Sequence, residues 1–193
     1  MDKTLLNKVE EFVSQHLRNN LSPKLYFHNY SHTKEVVFAV KEIKSHCFLN
    51  TQETEILTIA AWFHDCGYSV SYKGHENESC RIAVEFLKNN NFPNNLTFRV
   101  TDCILATKYP QQPKNILEDI LCDADLFHFT RTDYERHHLS LRKEWEIYLN
   151  KKYTDQEWKQ LNCDLLKNHH YFTKYGKNIL EKFKAVNLKL MEC

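Results

Sequence analysis

Apolar residues recur every three or four positions along most of this 193-residue chain, which is the spacing of an α-helix that buries one face. The stripes predict helices over about 3–19, 31–47, 51–65, 75–89, 95–108, 116–125, 131–150, 155–170 and 177–191. Residues that cap or stop helices flank several of them: Asn29 or Ser31, Asn50 with Glu53, Gly67, Asn115 with Glu118, and Thr154 with Glu157. We therefore predict an all-α, single-domain helical bundle of about eight or nine helices.

Composition narrows the classes of function. The formal net charge is +1, which gives no support for general binding of nucleic acid or of an anionic membrane. No apolar run reaches the roughly 20 residues that span a bilayer, and the amphipathic segment after Met1 does not read as a signal peptide. The three glycines cannot build a phosphate-binding loop. The seven cysteines include no Cys-x-x-Cys pair, so we expect reduced thiols in a cytoplasmic protein.

The segment Ala60–Asp65 carries the first candidate chemistry, because a strongly apolar helix ends there in His64 and Asp65. Burying an imidazole and a carboxylate costs free energy unless a metal ion or a hydrogen-bonded network compensates them. His32, in the first turn of the second helix, and Asp125, in the sixth, are further candidate ligands. Two imidazoles and two carboxylates suit manganese, iron, nickel, zinc or, less well, magnesium.

Asp123 is an alternative to Asp125 as the last of these ligands. The two residues are two positions apart, which is about 200° around a helix, so only one of them can face the ion. Both flank the apolar stripe of their helix, and periodicity leaves the choice between them open.

Five short motifs follow one another along the chain: Tyr26-x-His28-Asn29-x-x-His32-Thr33, Ala60-x-x-Phe63-His64-Asp65, His75-Glu76-x-x-Ser79, Ile104-Leu105-Ala106-Thr107-Lys108 and Asp123-Ala124-Asp125-Leu126. Their residues and their order resemble the HD superfamily of metal-dependent phosphohydrolases, and most closely its small members that stand alone as one domain. The resemblance covers about residues 26–130. It implies one HD domain over 1–193, with C-terminal helices from 131–193 packed on the motif-bearing core.

The resemblance implies one divalent metal ion held by four residues: His32, His64, Asp65 and Asp125. It favours Asp125 over Asp123, because the family's ligand resembles the aspartate that follows alanine in this motif. Some HD proteins bind a second metal through two more histidines. His75 matches the first of these, but Lys108-Tyr109 stands near the place of the second. That departure favours a single metal and weakens a di-iron oxygenase interpretation.

The resemblance also suggests roles in catalysis and substrate binding. The candidates for catalysis are Asp65, His75, Glu76 and Lys108. The candidates for substrate binding are Lys108, Arg131 and His28. Some nucleotidases of the superfamily place a glutamate shortly after His-Asp, where this chain has Cys66-Gly67-Tyr68. Glu76 or His75 would then replace it as the general acid.

Four of these residues also have a structural interpretation. His28 can brace the site, His75 and Glu76 can begin a solvated helix, and Lys108 can simply complement a helix C-terminus. The pairs His137-His138 and His169-His170 are expected at the surface.

The leading expectation is a phosphohydrolase that uses metal-activated water to cleave a phosphoester of a small molecule, a nucleotide or a related compound. One alternative is a non-catalytic, metal-stabilised HD module that senses a nucleotide or binds a partner protein. A di-iron HD oxygenase has less support. We expect no membrane partner and no general nucleic-acid binding, and a homodimer is left open.

Overall fold

The computed structural model describes residues 4–192. Within this range the chain forms nine α-helices and no β-strand, which confirms the predicted all-α fold. The helices are α1 (Leu5–Asn20), α2 (Tyr30–Lys44), α3 (Thr51–Phe63), α4 (His75–Asn89), α5 (Asn94–Ala106), α6 (Ile116–Asp125), α7 (Tyr134–Tyr148), α8 (Asp155–Asn168) and α9 (Glu181–Leu190). Short 3-10 turns at Cys66–Ser69 and Phe127–Thr130 follow α3 and α6, and a π-helical turn at Gly176–Leu180 leads into α9.

Helix α3 lies at the centre of the bundle, as its apolar sequence predicts. Ile59, Ala60, Ala61 and Phe63 are fully excluded from solvent. Helices α1, α2, α4, α5 and α6 all pack against α3. Because α3 is enclosed in this way, its C-terminal end carries His64 into the protein interior.

Polar caps fix where the helices that carry the candidate residues begin. The Asn29 side chain accepts hydrogen bonds from two backbone N–H groups in the first turn of α2. Asn50 and Glu53 form the predicted capping box of α3. Asn115 accepts from two backbone N–H groups at the start of α6. These caps satisfy backbone donors that a helix start leaves unpaired, and they stabilise each helix start at its observed residue.

The C-terminal helices pack on the rest of the bundle through the turn that follows α6. Phe129, Tyr134 and Leu166 form a small second apolar cluster there. The Asn187 side-chain amide on α9 donates to the carbonyl oxygens of Phe129 at 2.7 Å and Arg131 at 2.8 Å. The C-terminal region therefore holds in place the segment that leaves α6.

Gly67 has a different role from the helix stop that its position predicts. It lies inside the turn Cys66–Ser69, against the start of α4. A Cβ atom at Gly67 would lie 1.9 Å from the carbonyl oxygen of His75 and 2.7 Å from the backbone nitrogen of Ser79. The glycine is therefore needed because the backbone of α4 approaches it closely.

The cysteines are not all in the state that the sequence suggests. Free thiols are found at Cys47, Cys66, Cys80, Cys103 and Cys122. Cys163 is disulfide-bonded, so the expectation of a reduced thiol is wrong at that residue. Cys193 lies outside the described residues. None of the helices between residues 4 and 192 has both the length and the apolarity needed to cross a bilayer.

Candidate metal centre

Three of the four predicted ligands converge from different helices. His32 lies in the first turn of α2, His64 directly follows α3, and Asp125 is the last residue of α6. One ligand atom from each lies within 4.8 Å of the other two. Among residues 4–192, this is the one group of three or more His, Cys, Asp or Glu side chains that meets this criterion for holding a metal ion.

Asp65 lies against both imidazoles of this group. Its Oδ2 is 3.4 Å from His32 Nε2 and 3.2 Å from His64 Nε2. Asp125 Oδ1 is 3.2 Å and 3.6 Å from the same two nitrogens. Asp65 therefore lies beside the two imidazoles but outside the group of three, and we call the group together with Asp65 the metal centre.

The orientation of His64 shows why a cation fits this centre. His64 Nδ1 donates to the carbonyl oxygen of Ala61 at 2.8 Å, so in a neutral imidazole the lone pair of Nε2 faces the carboxylates. His64 Nε2 and Asp65 Oδ2 are buried and make no hydrogen bond. A lone pair and a carboxylate repel each other unless a positive charge, either a proton or a metal ion, lies between them. The donors present are those that a divalent transition-metal ion prefers.

The charged side chains of the metal centre shift one another's pKa values. Burial lowers the pKa of His64, but Asp65 and Asp125 outweigh this effect and raise the pKa well above its ordinary value. Burial acts in the opposite direction on Asp65 and Asp125, and there the neighbouring imidazoles prevail and lower the pKa. The pKa shifts therefore favour a positive charge beside the two carboxylates. A metal ion that binds here supplies that charge and displaces a proton.

The structure distinguishes Asp125 from Asp123. The Asp123 carboxylate accepts hydrogen bonds from the backbone N–H of Phe172 at 2.7 Å, and from the backbone N–H and hydroxyl of Thr173 at 3.0 and 2.7 Å. Burial, opposed by these bonds, raises the pKa of Asp123 to about 6. Asp123 therefore fixes the chain segment before α9, while Asp125 faces the imidazoles.

Two more predicted residues, His28 and His75, lie beside the metal centre with Tyr68 between them. The Tyr68 ring stacks on His75 with centroids 3.8 Å apart and on His28 with centroids 4.2 Å apart. His75 Nε2 is 3.7 Å from Oδ1 of Asp65, the carboxylate oxygen that is not directed at the other two imidazoles.

Glu144 of α7 fixes His28, and sequence reasoning missed it. Its carboxylate is fully buried and accepts from the backbone N–H groups of Phe27 at 2.5 Å and His28 at 2.8 Å, from His28 Nδ1 at 2.6 Å, and from the Tyr72 hydroxyl at 3.2 Å. Burial lowers the pKa of His28, but Glu144 outweighs this and raises it. Glu144 is 116 residues from His28 in sequence, so no local pattern could reveal the pair.

Two cavities meet at the metal centre, and Asp125 and His128 line both of them. The first, about 340 Å³ in volume, is also lined by Lys34 and Arg131 and is called the cationic cavity. The second, about 250 Å³, is called the aromatic cavity. Its aromatic lining consists of Phe27, Tyr68, Tyr72, Tyr109, Phe129 and Trp145, with three histidines.

The remaining predicted residues lie at different places around these cavities. Arg131 lines the cationic cavity, where its guanidinium donates to Asp133 at 2.8 Å. Glu76 is buried and lines the aromatic cavity. Lys108 is exposed and lines a separate cleft, and its neighbour Tyr109 lines both that cleft and the aromatic cavity.

Two histidines differ from what the sequence suggests. His128, which we did not single out, is buried, and its Nδ1 donates to the carbonyl oxygen of Asp125 at 3.2 Å. The sequence feature that could have indicated His128 as a site residue is its position three residues after Asp125, in the turn that follows α6. Burial lowers its pKa well below the ordinary value. His137 was expected at the surface, but it is buried beside Phe27, with ring centroids 6.1 Å apart, so that prediction is wrong.

Comparison of the chain with protein-family models, with curated proteins and with solved structures finds no match.

Proposed function

We propose that this protein is a metal-dependent phosphohydrolase that cleaves a phosphoester of a small molecule, a nucleotide or a related compound. The convergence of His32, His64, Asp65 and Asp125 around one buried, unbonded imidazole nitrogen carries the proposal. The ordered motifs that resemble the HD superfamily support the reaction class.

The chain's own groups account for how the centre would hold a divalent ion. Asp65 and Asp125 bring two negative charges, and the carbonyl oxygen of Ala61 keeps the Nε2 lone pair of His64 directed at the centre. When bound, such an ion supplies Lewis acidity and lowers the pKa of a water molecule. His32, His64 and Asp65 are buried and Asp125 is partly buried, which strengthens the charge interactions among them.

A phosphorylated substrate fits the cations on one side of the centre. Lys34 and Arg131 line the cavity that also contains His32 and Asp125. A guanidinium and an ammonium group can stabilise the charge that develops on phosphoryl oxygens. Lys108, which lines a separate cleft, is less well placed for this role than Arg131.

We assign proton transfer to His75, with Glu76 beside it as the second candidate. Burial lowers the pKa of His75, so the imidazole is neutral near pH 7 and can accept a proton and pass it on. Its Nε2 lies 3.7 Å from Asp65 Oδ1, and both His75 and Glu76 line the aromatic cavity. A leaving-group oxygen in that cavity would lie within their reach.

The test is metal analysis combined with an assay against a panel of nucleotides and other phosphoesters, using protein loaded with Mn²⁺. Asp65→Ala should lose both bound metal and hydrolysis, because it removes a carboxylate that contacts both imidazoles. Asp164→Ala, at an exposed position on α8, is the matched control and should keep both. The proposal fails if Asp65→Ala keeps metal and activity. Two irons per chain in the protein as purified, before loading with Mn²⁺, would favour an oxygenase.

A non-catalytic, metal-stabilised module is the second candidate. The observation that favours it lies directly after His64-Asp65, where Cys66 and Gly67 are buried and the Tyr68 ring is stacked between two imidazoles. No carboxylate stands at those three positions to act as an acid. This alternative would be supported if a nucleotide raises the melting temperature of the protein but is not hydrolysed in the presence of any of several metal ions.

A further inference from the structure

The aromatic cavity has walls suited to a flat, apolar group. Rings from the N-terminal part of the chain, such as Phe27 and Tyr68, and from its C-terminal part, such as Trp145, line it together. Leu126, Leu141 and Leu165 add aliphatic surface. Aromatic side chains bind planar rings by stacking and by edge-to-face contact, and they tolerate many ring types.

The charges of the side chains that line the aromatic cavity also limit which groups can bind in it. The described residues that line this cavity include three carboxylates, Asp65, Glu76 and Asp125, and neither lysine nor arginine. His28, whose pKa is raised, also lines the cavity, but Glu144 already pairs with it at 2.6 Å. An anionic substituent placed there would therefore lose hydration and gain no free cationic partner. The occupant is therefore an uncharged group. Lys34 and Arg131, in contrast, line the cationic cavity, which shares Asp125 and His128 with the aromatic cavity.

We propose that the substrate is an aryl phosphoester or similarly compact planar phosphoester, whose uncharged aromatic ring lies in the aromatic cavity and whose phosphoryl group lies at the metal centre on the side of the cationic cavity. Only the placement of the phosphoryl group rests on the proposed function. The placement of the ring rests on the lining of the aromatic cavity. It narrows the substrate class to compounds whose ring carries no charge.

Equilibrium binding of three phosphonates to the Mn²⁺-loaded protein tests this inference. Phosphonates have a carbon–phosphorus bond in place of the ester, so binding is measured without hydrolysis. Phenylphosphonate should bind at least about tenfold more tightly than methylphosphonate, as expected for stacking of one ring. Phenylphosphonate should also bind about tenfold more tightly than 4-carboxyphenylphosphonate, which has the same ring with one added negative charge. Calorimetry supplies the dissociation constants.

Two substitutions locate the ring. Trp145→Ala should remove most of the preference for phenyl over methyl, and Tyr109→Ala should reduce it. Tyr109 is 71% exposed, so its variant serves even if Trp145→Ala fails to fold. Phe98→Ala is the matched aromatic control, because Phe98 is 68% exposed and does not line the cavity. Gln111→Lys places a cation on the cavity wall and should strengthen binding of the carboxyphenyl compound severalfold.

Several outcomes overturn the inference: equal binding of phenyl- and methylphosphonate, equal binding of the two ring compounds, no change in Tyr109→Ala, or no binding of any phosphonate. If the expected pattern holds but no phosphoester is hydrolysed, the proposed function fails while the ring site stands. If a phosphoester is hydrolysed but phenylphosphonate binds no more tightly than methylphosphonate, the ring site fails while the proposed function stands.

Discussion

His64 and His28 illustrate how the second nitrogen of an imidazole decides what the first can do. The carbonyl oxygen of Ala61 takes the Nδ1 proton of His64 and leaves Nε2 free to bind a cation. Glu144 instead binds Nδ1 of His28 at 2.6 Å and favours the protonated ring. The pKa of both imidazoles is raised, but His64 directs its Nε2 at the carboxylates of the metal centre, whereas the Nδ1 of His28 is already occupied by Glu144.

The His28–Glu144 pair predicts a pH-dependent contribution to stability. Because the folded-state pKa of His28 is raised above 6.5, the pair stabilises the fold fully below that pH, and the stabilisation is lost as the pH rises through the raised pKa. The melting temperature of the wild type minus that of His28→Asn should therefore be larger at about pH 6 than at about pH 9. The measurement is made with a chelator present, so that metal binding does not contribute.

His170→Asn is the control for this experiment, because His170 is exposed and its replacement should change the melting temperature little at either pH. A difference for His28→Asn that grows with pH would contradict the proposed role of Glu144.

At the scale of elements, the turn Cys66–Ser69 joins the metal centre to α4. It follows His64-Asp65 directly, its ring at Tyr68 stacks on His75, and the Ser79 hydroxyl accepts a hydrogen bond from the backbone N–H of Gly67 at 2.8 Å. The position of His75 therefore depends on close contact between this turn and the first turns of α4.

Replacing Gly67 by alanine should separate the turn from α4. The added Cβ would overlap backbone atoms of His75 and Ser79, which cannot move aside without shifting the helix. We expect Gly67→Ala to lower the free energy of unfolding by about 3 kcal/mol or more, at the upper end for overpacking. Gly74→Ala should cost only about 1 kcal/mol, because Gly74 has a φ of 73° but open space around it.

Urea denaturation of both variants measures these values. Equal losses of stability in Gly67→Ala and Gly74→Ala would show that the close approach of α4 is not the constraint at Gly67.

At the scale of the whole molecule, local patterns predicted much of the fold but not the contacts between distant parts. Asn29, Asn50 and Asn115 cap helices where the sequence indicated, because capping depends on neighbours three or four residues away. The resemblance pointed to His32, His64 and Asp125, which lie close enough together to hold a metal ion. Glu144 and Trp145 could not be found in this way, since they reach the site from α7 only after the chain has folded.

Lys108 shows a second limit of sequence reasoning. Its motif placed the residue near the site, but the end of α5 directs Lys108 into a separate cleft and leaves its neighbour Tyr109 on the aromatic cavity. Lys108 and Tyr109 lie beyond Ala106, the last residue of α5, so helical periodicity does not fix the direction of either side chain. The motif could therefore give the region correctly without giving the residue.

The contact between α9 and the segment after α6 can be tested by replacing Asn187 with alanine. The substitution leaves two carbonyl oxygens, of Phe129 and Arg131, without their buried donor. We expect the free energy of unfolding to fall by about 1–3 kcal/mol. Lys189→Ala, at an exposed position two residues further along α9, should change it by less than about 0.5 kcal/mol.

Chemical denaturation gives both values for this comparison. Equal stability of Asn187→Ala and the wild type would rule out a structural role for the bond between α9 and the segment after α6.

The most direct test of the metal centre is the metal content of two matched variants, Asp125→Asn and Asp123→Asn, after loading with Mn²⁺ and removal of excess ion. We predict about one metal ion per chain in the wild type and in Asp123→Asn, because Asp123 binds the segment before α9. Asp125→Asn, which loses a carboxylate next to both imidazoles, should retain less than about a tenth of that amount. A wild type without bound metal, or an Asp125→Asn variant that keeps its full complement, would contradict the assignment of this centre.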